Sequence, residues 1–316
     1  MADAVVDQPA AQRYALITGA NKGIGFQICR QLASKGILVI LASRDEKRGI
    51  EAQDRLLKDF GVSNNNVLFH QLDVVDPRSI AAVLEFIGSR FGKLDILVNN
   101  AGIRGVDVDG DVSVLEEYIE ADSDSIIAGG QAEPFHLKAS GRLVETFEGA
   151  EECIETNYYG AKRVTEALIP LLLQSDSPRI VNVSSALGNL VFQKNEMAKG
   201  VLSNEDGLTE EEVDEVVQEF LKDFKEGKLD ENQWPPHLAA YKVSKAALNA
   251  YTWLAAKRNA SICVNAVCPG FARTDITFNS GPLSESEAAE APVKLALLPD
   301  GGPSGSFFYR SQALSL

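Results

Sequence analysis

Cysteine, methionine, tryptophan and histidine are all scarce in this chain of 316 residues, at four, two, two and three copies. Cys29, Cys153, Cys263 and Cys268 are scattered, form no C-x-x-C pair and sit mostly in apolar runs. They read as reduced packing residues, which excludes a disulfide framework and implies a cytoplasmic home. His70, His136 and His237 lack ligand spacing, so no metal centre is expected. Gly-x-Ser-x-Gly is absent, which counts against a serine hydrolase. No stretch approaches the roughly 18 apolar residues of a membrane span. Residues 1–12 have no basic head or long apolar run, and Asp3 and Asp7 count against a transit peptide. They are expected to be a loose tail ahead of a single domain over residues 13–316.

Positive charge is also short, and the net charge is −15. The deficit is local. Residues 103–150 hold eleven acids against three bases and residues 196–232 thirteen against four, leaving 23 bases against 21 acids elsewhere. Two acidic segments cannot neutralise phosphates, so a nucleic-acid or anionic-membrane partner is not expected. The near-neutral remainder leaves room for a local basic site.

What is present is an alternation of apolar strands and amphipathic helices. Tyr14–Thr18 is a short apolar run that stops at Gly19-Ala20-Asn21-Lys22-Gly23-Ile24-Gly25, followed by apolar residues at helical spacing from Phe26 to Ala33. Strand, glycine loop and helix in that order suit a pyrophosphate, because backbone without side chains can approach it and a helix N-terminus stabilises it. Further strands are expected over residues 36–43, 67–72, 94–98, 179–184, 261–267 and 307–309, with helices over 78–91, 148–173 and 285–298 and another carrying Tyr241 after Trp234-Pro235-Pro236. This predicts an α/β chain with a doubly wound, Rossmann-type parallel sheet of about seven strands and ligands at the strands' carboxyl ends. Two mainly helical acidic inserts, at about 103–147 and 190–236, interrupt it. In the second, Thr209 to Glu212 is a capping box, and Val213, Val216, Val217, Phe220, Leu221 and Phe224 follow on one helix face.

Tyr241 and Lys245 stand four residues apart, one above the other on a helix face, and a nearby cation favours a phenolate. Alone, the pair is weak evidence. Read in order, Thr18-Gly-x-x-x-Gly23-x-Gly25, Asp73, Asn99-Asn-Ala-Gly102, Asn157, Ser185, Tyr241-x-x-x-Lys245 and Pro269-Gly270 resemble the short-chain dehydrogenase/reductase family from about residue 13 to 309. The resemblance implies NADP(H) or NAD(H) as cofactor, with Tyr241 as proton donor to a carbonyl oxygen and Ser185 orienting that oxygen. Lys245 would bind the nicotinamide ribose and depress the Tyr241 pKa, and Asn157 would hold a water linking Lys245 to solvent. Gly19, Asn21, Lys22, Gly23, Ile24, Gly25, Arg44, Asp73, Val74, Asn100, Ala101, Gly102, Pro269, Gly270 and Thr274 would join Tyr241 and Lys245 around the cofactor.

Arg44, with Lys22, offers cations for an adenosine 2′-phosphate, so NADPH is expected over NADH; the neighbouring Asp45 opposes this unless its carboxylate turns away. The inserts, and stretches such as Ala42–Gly49 and Leu295–Gly305, resemble a plant subgroup of monoterpenoid and alkaloid reductases, nearest to those acting on menthone. The expected substrate is a small, neutral, cyclic ketone, menthone in particular. The enone double-bond reductase of that subgroup carries Glu in place of the tyrosine, so Tyr241 argues for the ketone reaction. Alternatives are an enone double-bond reductase, an alkaloid ketone reductase and an NADPH-binding sensor. The chain is expected to be a monomer, with the helix at 210–225 covering the face through which the family usually dimerises.

Overall fold

A computed structural model describes residues 12–127, 138–204 and 207–314, so all but the last residue of the expected tail lies outside it. The chain runs β1 (Tyr14–Ile17), α1 (Gly23–Ala33), β2 (Leu38–Ser43), α2 (Glu46–Asp59), β3 (Val67–Gln71), α3 (Pro77–Phe91) and β4 (Ile96–Asn99). The first insert holds β5 (Asp107–Asp109), α4 (Ser113–Ile127) and β6 (Arg142–Val144), with β5 and β6 paired as an antiparallel ribbon. Next come α5 (Phe147–Ile154), a π turn over Glu155–Gly160, α6 (Ala161–Leu172) and β7 (Arg179–Val183). The second insert holds α7 (Glu196–Leu202) and α8 (Glu210–Glu226). The chain then continues through α9 (Ala239–Arg258), β8 (Cys263–Cys268), α10 (Glu285–Ala296), β9 (Phe307–Tyr309) and β10 (Gln312–Leu314).

The fold is α/β and Rossmann-like, with sheet order β10-β9-β8-β7-β4-β1-β2-β3. Seven strands are parallel and the eighth, β10, returns antiparallel on β9. Sequence spacing anticipates the seven; β10, only three residues long, carries no pattern to announce it. Strand order reverses between β1 and β4, and the crevice at such a reversal is where doubly wound sheets bind ligands. Continuous apolar strands suit a sheet covered on both faces. Along β1 and β2, Ala15, Ile17, Val39 and Leu41 join the core under α1 and α10, while Leu16, Ile40 and Ala42 join the core under α3, α6 and α9.

The helix expected over 148–173 is divided by the π turn, which carries Asn157. A π turn inside an α-helix leaves local backbone bonding irregular and often marks a site. In the second insert, the Thr209–Glu212 capping box forms, and Val213, Val216, Val217 and Phe220 are fully buried. Asp214 accepts from the Tyr158 hydroxyl at 2.7 Å and from Lys162 Nζ at 2.8 Å, fixing α8 beside the π turn. Phe220 meets Trp234 edge to face at 5.2 Å, and Trp234 Nε1 donates to the buried Asp223 carboxylate at 2.8 Å. Fifteen of the twenty residues of α9 are buried, so that helix has cover on nearly every side.

Candidate active site

The carboxyl ends of β1, β2, β3, β4, β7 and β8 open onto a cleft of about 670 Å³. Gly19, Asn21, Lys22, Gly23, Ile24 and Gly25 line it from the loop after β1, Arg44 from the end of β2, and Asp73 and Val74 from beyond β3. Asn100, Ala101 and Gly102 line it after β4, Ser185 after β7, Tyr241 and Lys245 on α9, and Pro269, Gly270 and Thr274 after β8. Asn157 lies behind this wall, against Gly102.

The glycine loop is shaped by backbone and by β4. Gly19 sits at φ +64° with the Ala101 backbone against it, and a Cβ on Gly25 would fall 2.4 Å from Asn100 Nδ2. Asn100 Nδ2 donates to the Thr18 and Gly19 carbonyls at 2.9 and 3.2 Å, and Thr18 Oγ1 accepts from the amides of Asn100 and Ala101 at 3.0 Å each. A short polar clamp therefore ties the ends of β1 and β4 together. Helix α1 opens at Gly23 with no side-chain cap and no acid in its first turn. Its free amides and the missing side chains of the loop fit a dinucleotide pyrophosphate.

At the other end of the cleft, Tyr241 and Lys245 stack on one face of α9, with Lys245 Nζ 5.7 Å from the centre of the phenol ring. Burial pushes the Tyr241 hydroxyl well above the usual tyrosine range, the Cys268 thiol adds to this, and a hydrogen bond with Ser185 pulls it back. Burial draws Lys245 down to about 8, and its ammonium donates to the Val183 carbonyl at 2.9 Å. In both groups desolvation is the largest cause, and it favours their neutral forms.

Asn157 is held by the loop after β4 and by α9. Its Oδ1 accepts from the Ile103 amide at 2.8 Å, and its Nδ2 donates to the Ile103 carbonyl at 2.8 Å and to Ser244 Oγ at 3.1 Å. The amide is thus committed to pinning the loop after β4 against α9.

Several groups at the site escape sequence reasoning. Leu238, in the N-cap position of α9, has left-handed backbone (φ +51°) and no side-chain cap of its own. Glu145, 94 residues away in the first insert, supplies one by accepting from the Ala239 amide at 2.9 Å, although burial pushes its carboxyl pKa upward. Asp45 and Arg48 line the cleft beside Arg44, and Asp45 caps α2 by accepting from the Arg48 amide at 2.9 Å. Arg104 reaches across the cleft mouth to the segment after β8. The Glu145 and Arg104 contacts are not visible in sequence, since they join segments distant along the chain.

A family model described as short chain dehydrogenase matches residues 13–146. The chain is 67% identical over 309 residues to (-)-isopiperitenone reductase of Mentha piperita, covering 96% of this chain and 98% of that protein. It is 51% identical over 310 residues to (+)-neomenthol dehydrogenase of Capsicum annuum, covering 98% and 99%. Among solved structures, menthone neomenthol reductase from Mentha piperita superposes with a TM-score of 0.88 at 64% identity, over 96% of this chain and all of that one. With the glycine loop and the Ser185, Tyr241 and Lys245 cluster on one Rossmann-like sheet, this chain belongs to the short-chain dehydrogenase/reductase family and is an oxidoreductase.

Proposed function

We propose that the protein is an NADPH-dependent ketone reductase acting on a small, neutral, cyclic monoterpenoid ketone, with menthone the specific candidate and menthol or neomenthol the product. The observation that carries the reaction type is the Ser185–Tyr241 pair at the cleft wall with Lys245 one turn along. Hydride delivery to a carbonyl builds negative charge on oxygen, so donors must be aimed where that charge appears. The reduced nicotinamide would supply the hydride. Tyr241, kept protonated by burial, gives its proton to the oxygen, while Ser185 fixes that oxygen through a second hydrogen bond. Lys245 holds the nicotinamide ribose. Asn157 keeps the Ile103 backbone and α9 in register, and any water linking Lys245 to solvent uses the acceptor capacity its amide has left.

At the adenosine end, Arg44 presents a planar fork to the 2′-phosphate, with Lys22 as a second cation. Asp45 lines the same part of the cleft, and its engagement with the Arg48 amide and guanidinium supports room for a phosphate beside it. Apolar groups around Tyr241, among them Val106, Leu187, Phe192 and Leu238, support a hydrocarbon substrate. The names of the mint and pepper relatives support a monoterpenoid. Four free cysteines support a reducing, cytoplasmic compartment, and no helix among the described residues is long and apolar enough to cross a membrane. The chain acts as a monomer of one domain, since α8 occupies the face of α9 that a partner would need; a sedimentation mass of twice the chain would contradict this.

Reduction of an enone double bond is a second reading, favoured by the 67% identity to the isopiperitenone reductase. One assay separates the two. Purified protein with NADPH should convert menthone to an alcohol and leave the double bond of a cyclic enone intact, as read by chiral chromatography. A saturated ketone as the product from the enone, with no alcohol from menthone, would overturn the first reading in favour of the second. NADPH oxidation with neither compound would leave only the family assignment.

A further inference from the structure

Arg104 crosses the mouth of the cleft. On the loop after β4, it is tied to its own segment by Nε donating to the Val106 carbonyl at 2.7 Å. Its Nη1 donates to the carbonyls of both Asp275 and Ile276 at 2.9 Å each. The guanidinium lies 3.7 Å from the centre of the Phe278 ring. Burial lowers the Arg104 pKa and the carboxylates of Asp107 and Asp275 oppose that shift, so the cation is partly desolvated yet flanked by acids. Stacking of a planar fork plus two in-plane donors is geometry that lysine cannot reproduce.

The segment it grips is a preformed unit. Its neck closes where Arg273 N donates to the Leu283 carbonyl at 2.9 Å and Leu283 N to the Phe271 carbonyl at 3.2 Å. Inside, Thr277 Oγ1 donates to the Ala272 carbonyl at 2.6 Å, lies 3.0 and 3.1 Å from the Thr274 and Ser280 carbonyls, and accepts from the Thr274 amide. Phe278 and Asn279 both take left-handed backbone, at φ +51° and +59°, which is unfavourable for a bulky side chain unless the surroundings hold it. At its base the same unit is tied by an ion pair between Asp275 and Lys22 of the glycine loop. Ile276 lines the cleft, and Phe278 packs with Tyr241 against the apolar cluster of Val106, Leu115, Leu187, Phe192 and Leu238.

Taking the ketone-reductase reading as its basis, we infer that Arg104 is a positioning residue for substrate specificity: it fixes the 274–279 turn so that Ile276 and Phe278 limit the size of ketone that reaches Tyr241. It touches no reacting atom and acts through the turn. Loosening the clamp widens the apolar side of the cleft and leaves the Tyr241, Ser185 and Lys245 groups in place.

The test uses the full chain as Arg104→Met, Arg104→Lys and Phe278→Leu, the last removing the stacking partner from the opposite side. Two readouts are taken. The first is the ratio of kcat/KM for menthone to that for unsubstituted cyclohexanone, with a bulkier bicyclic ketone as the third substrate. The second is the rate of tryptic cleavage after Arg273, measured by mass without cofactor or substrate. Thermal unfolding and NADPH binding by fluorescence quenching identify variants that are simply misfolded, and Phe278→Leu keeps the test open if an Arg104 variant is one of them. The expected result is a shift of about tenfold in the size ratio toward the bulkier ketone, the scale of one apolar contact in a pocket. Faster cleavage after Arg273 should accompany it, with Arg104→Lys behaving like Arg104→Met. Unchanged ratios in folded variants, with or without faster cleavage, would overturn the specificity role. If wild-type protein reduces no ketone, the functional reading has failed on its own; cleavage still decides whether Arg104 fastens the turn, and an unchanged rate would remove that too.

Discussion

The two ends of the cleft are held in different ways. At the cofactor end the glycine loop is shaped by its own missing side chains and by Thr18 and Asn100, which sit at the tips of adjacent strands. At the catalytic end, α9 is started by Glu145 from the first insert and flanked by α8 from the second. The first arrangement needs only the parallel sheet. The second depends on segments inserted into the alternating pattern, so stability and catalytic geometry are coupled there. The difference suggests that cofactor binding tolerates damage to the inserts while turnover does not.

The most severe break is chemical. Tyr241→Phe keeps the ring and its packing but removes the proton, so turnover should fall by about 10²–10⁴, the usual contribution of a positioned general acid. NADPH binding, followed by fluorescence quenching, should be nearly unchanged because the two ends are separately built. Near wild-type turnover would refute the assigned role.

A change at the opposite end should give the mirror result. Arg44→Ala removes charge-assisted hydrogen bonds worth about 1.5–3 kcal/mol, so the KM for NADPH should rise by about tenfold to a hundredfold with kcat little affected. NADH, lacking the 2′-phosphate, should be used almost as before. Equal effects on both cofactors would remove the basis for assigning the phosphate to Arg44.

How much of this was legible follows from the same contrast. The Tyr241–Lys245 spacing, the glycine loop and the Thr209–Glu212 capping box are local patterns, and each appears where the sequence places it. So does the apolar face of α8, because periodicity fixes a face even when its partner is unknown. The π turn at Glu155–Gly160 was hidden, since one extra residue in a helical turn leaves no periodic trace over so short a span. The β5–β6 ribbon and β10 are three-residue strands whose existence depends on their pairing. Burial around Lys245 and Tyr241 was equally invisible, and it pushes the phenol pKa up and the ammonium pKa down.

Glu145 sharpens the comparison because it acts between distant segments. Glu145→Ala removes the cap that Glu145 supplies at the start of α9, and losing an N-cap costs about 0.5–2 kcal/mol. Chemical denaturation should show a loss in that range, with kcat falling more than NADPH affinity. Glu145→Gln retains an acceptor oxygen and should recover part of both. If the alanine variant weakens NADPH binding as much as it lowers turnover, the two ends are not separately supported.

The smallest expected effect lies where the two ends meet, at Lys245. Its ammonium is drawn down to about 8 by burial, so it is mostly charged at pH 7 and mostly neutral at pH 9. Binding an anionic dinucleotide favours the charged form. NADPH affinity should therefore be nearly constant up to about pH 7 and weaken as pH rises through about 8. With a single titrating group the dissociation constant should increase by about threefold between pH 7.5 and 8.5. The phosphate monoester itself titrates at about 6, below this window. Tyr241 does not contribute because burial keeps its phenol protonated well beyond this range. The measurement is quenching of protein fluorescence by NADPH from pH 7 to 9.5. Lys245→Met should bind more weakly at pH 7 and show a flat profile, whereas a slope that survives in that variant would assign the titration to another group in the cleft.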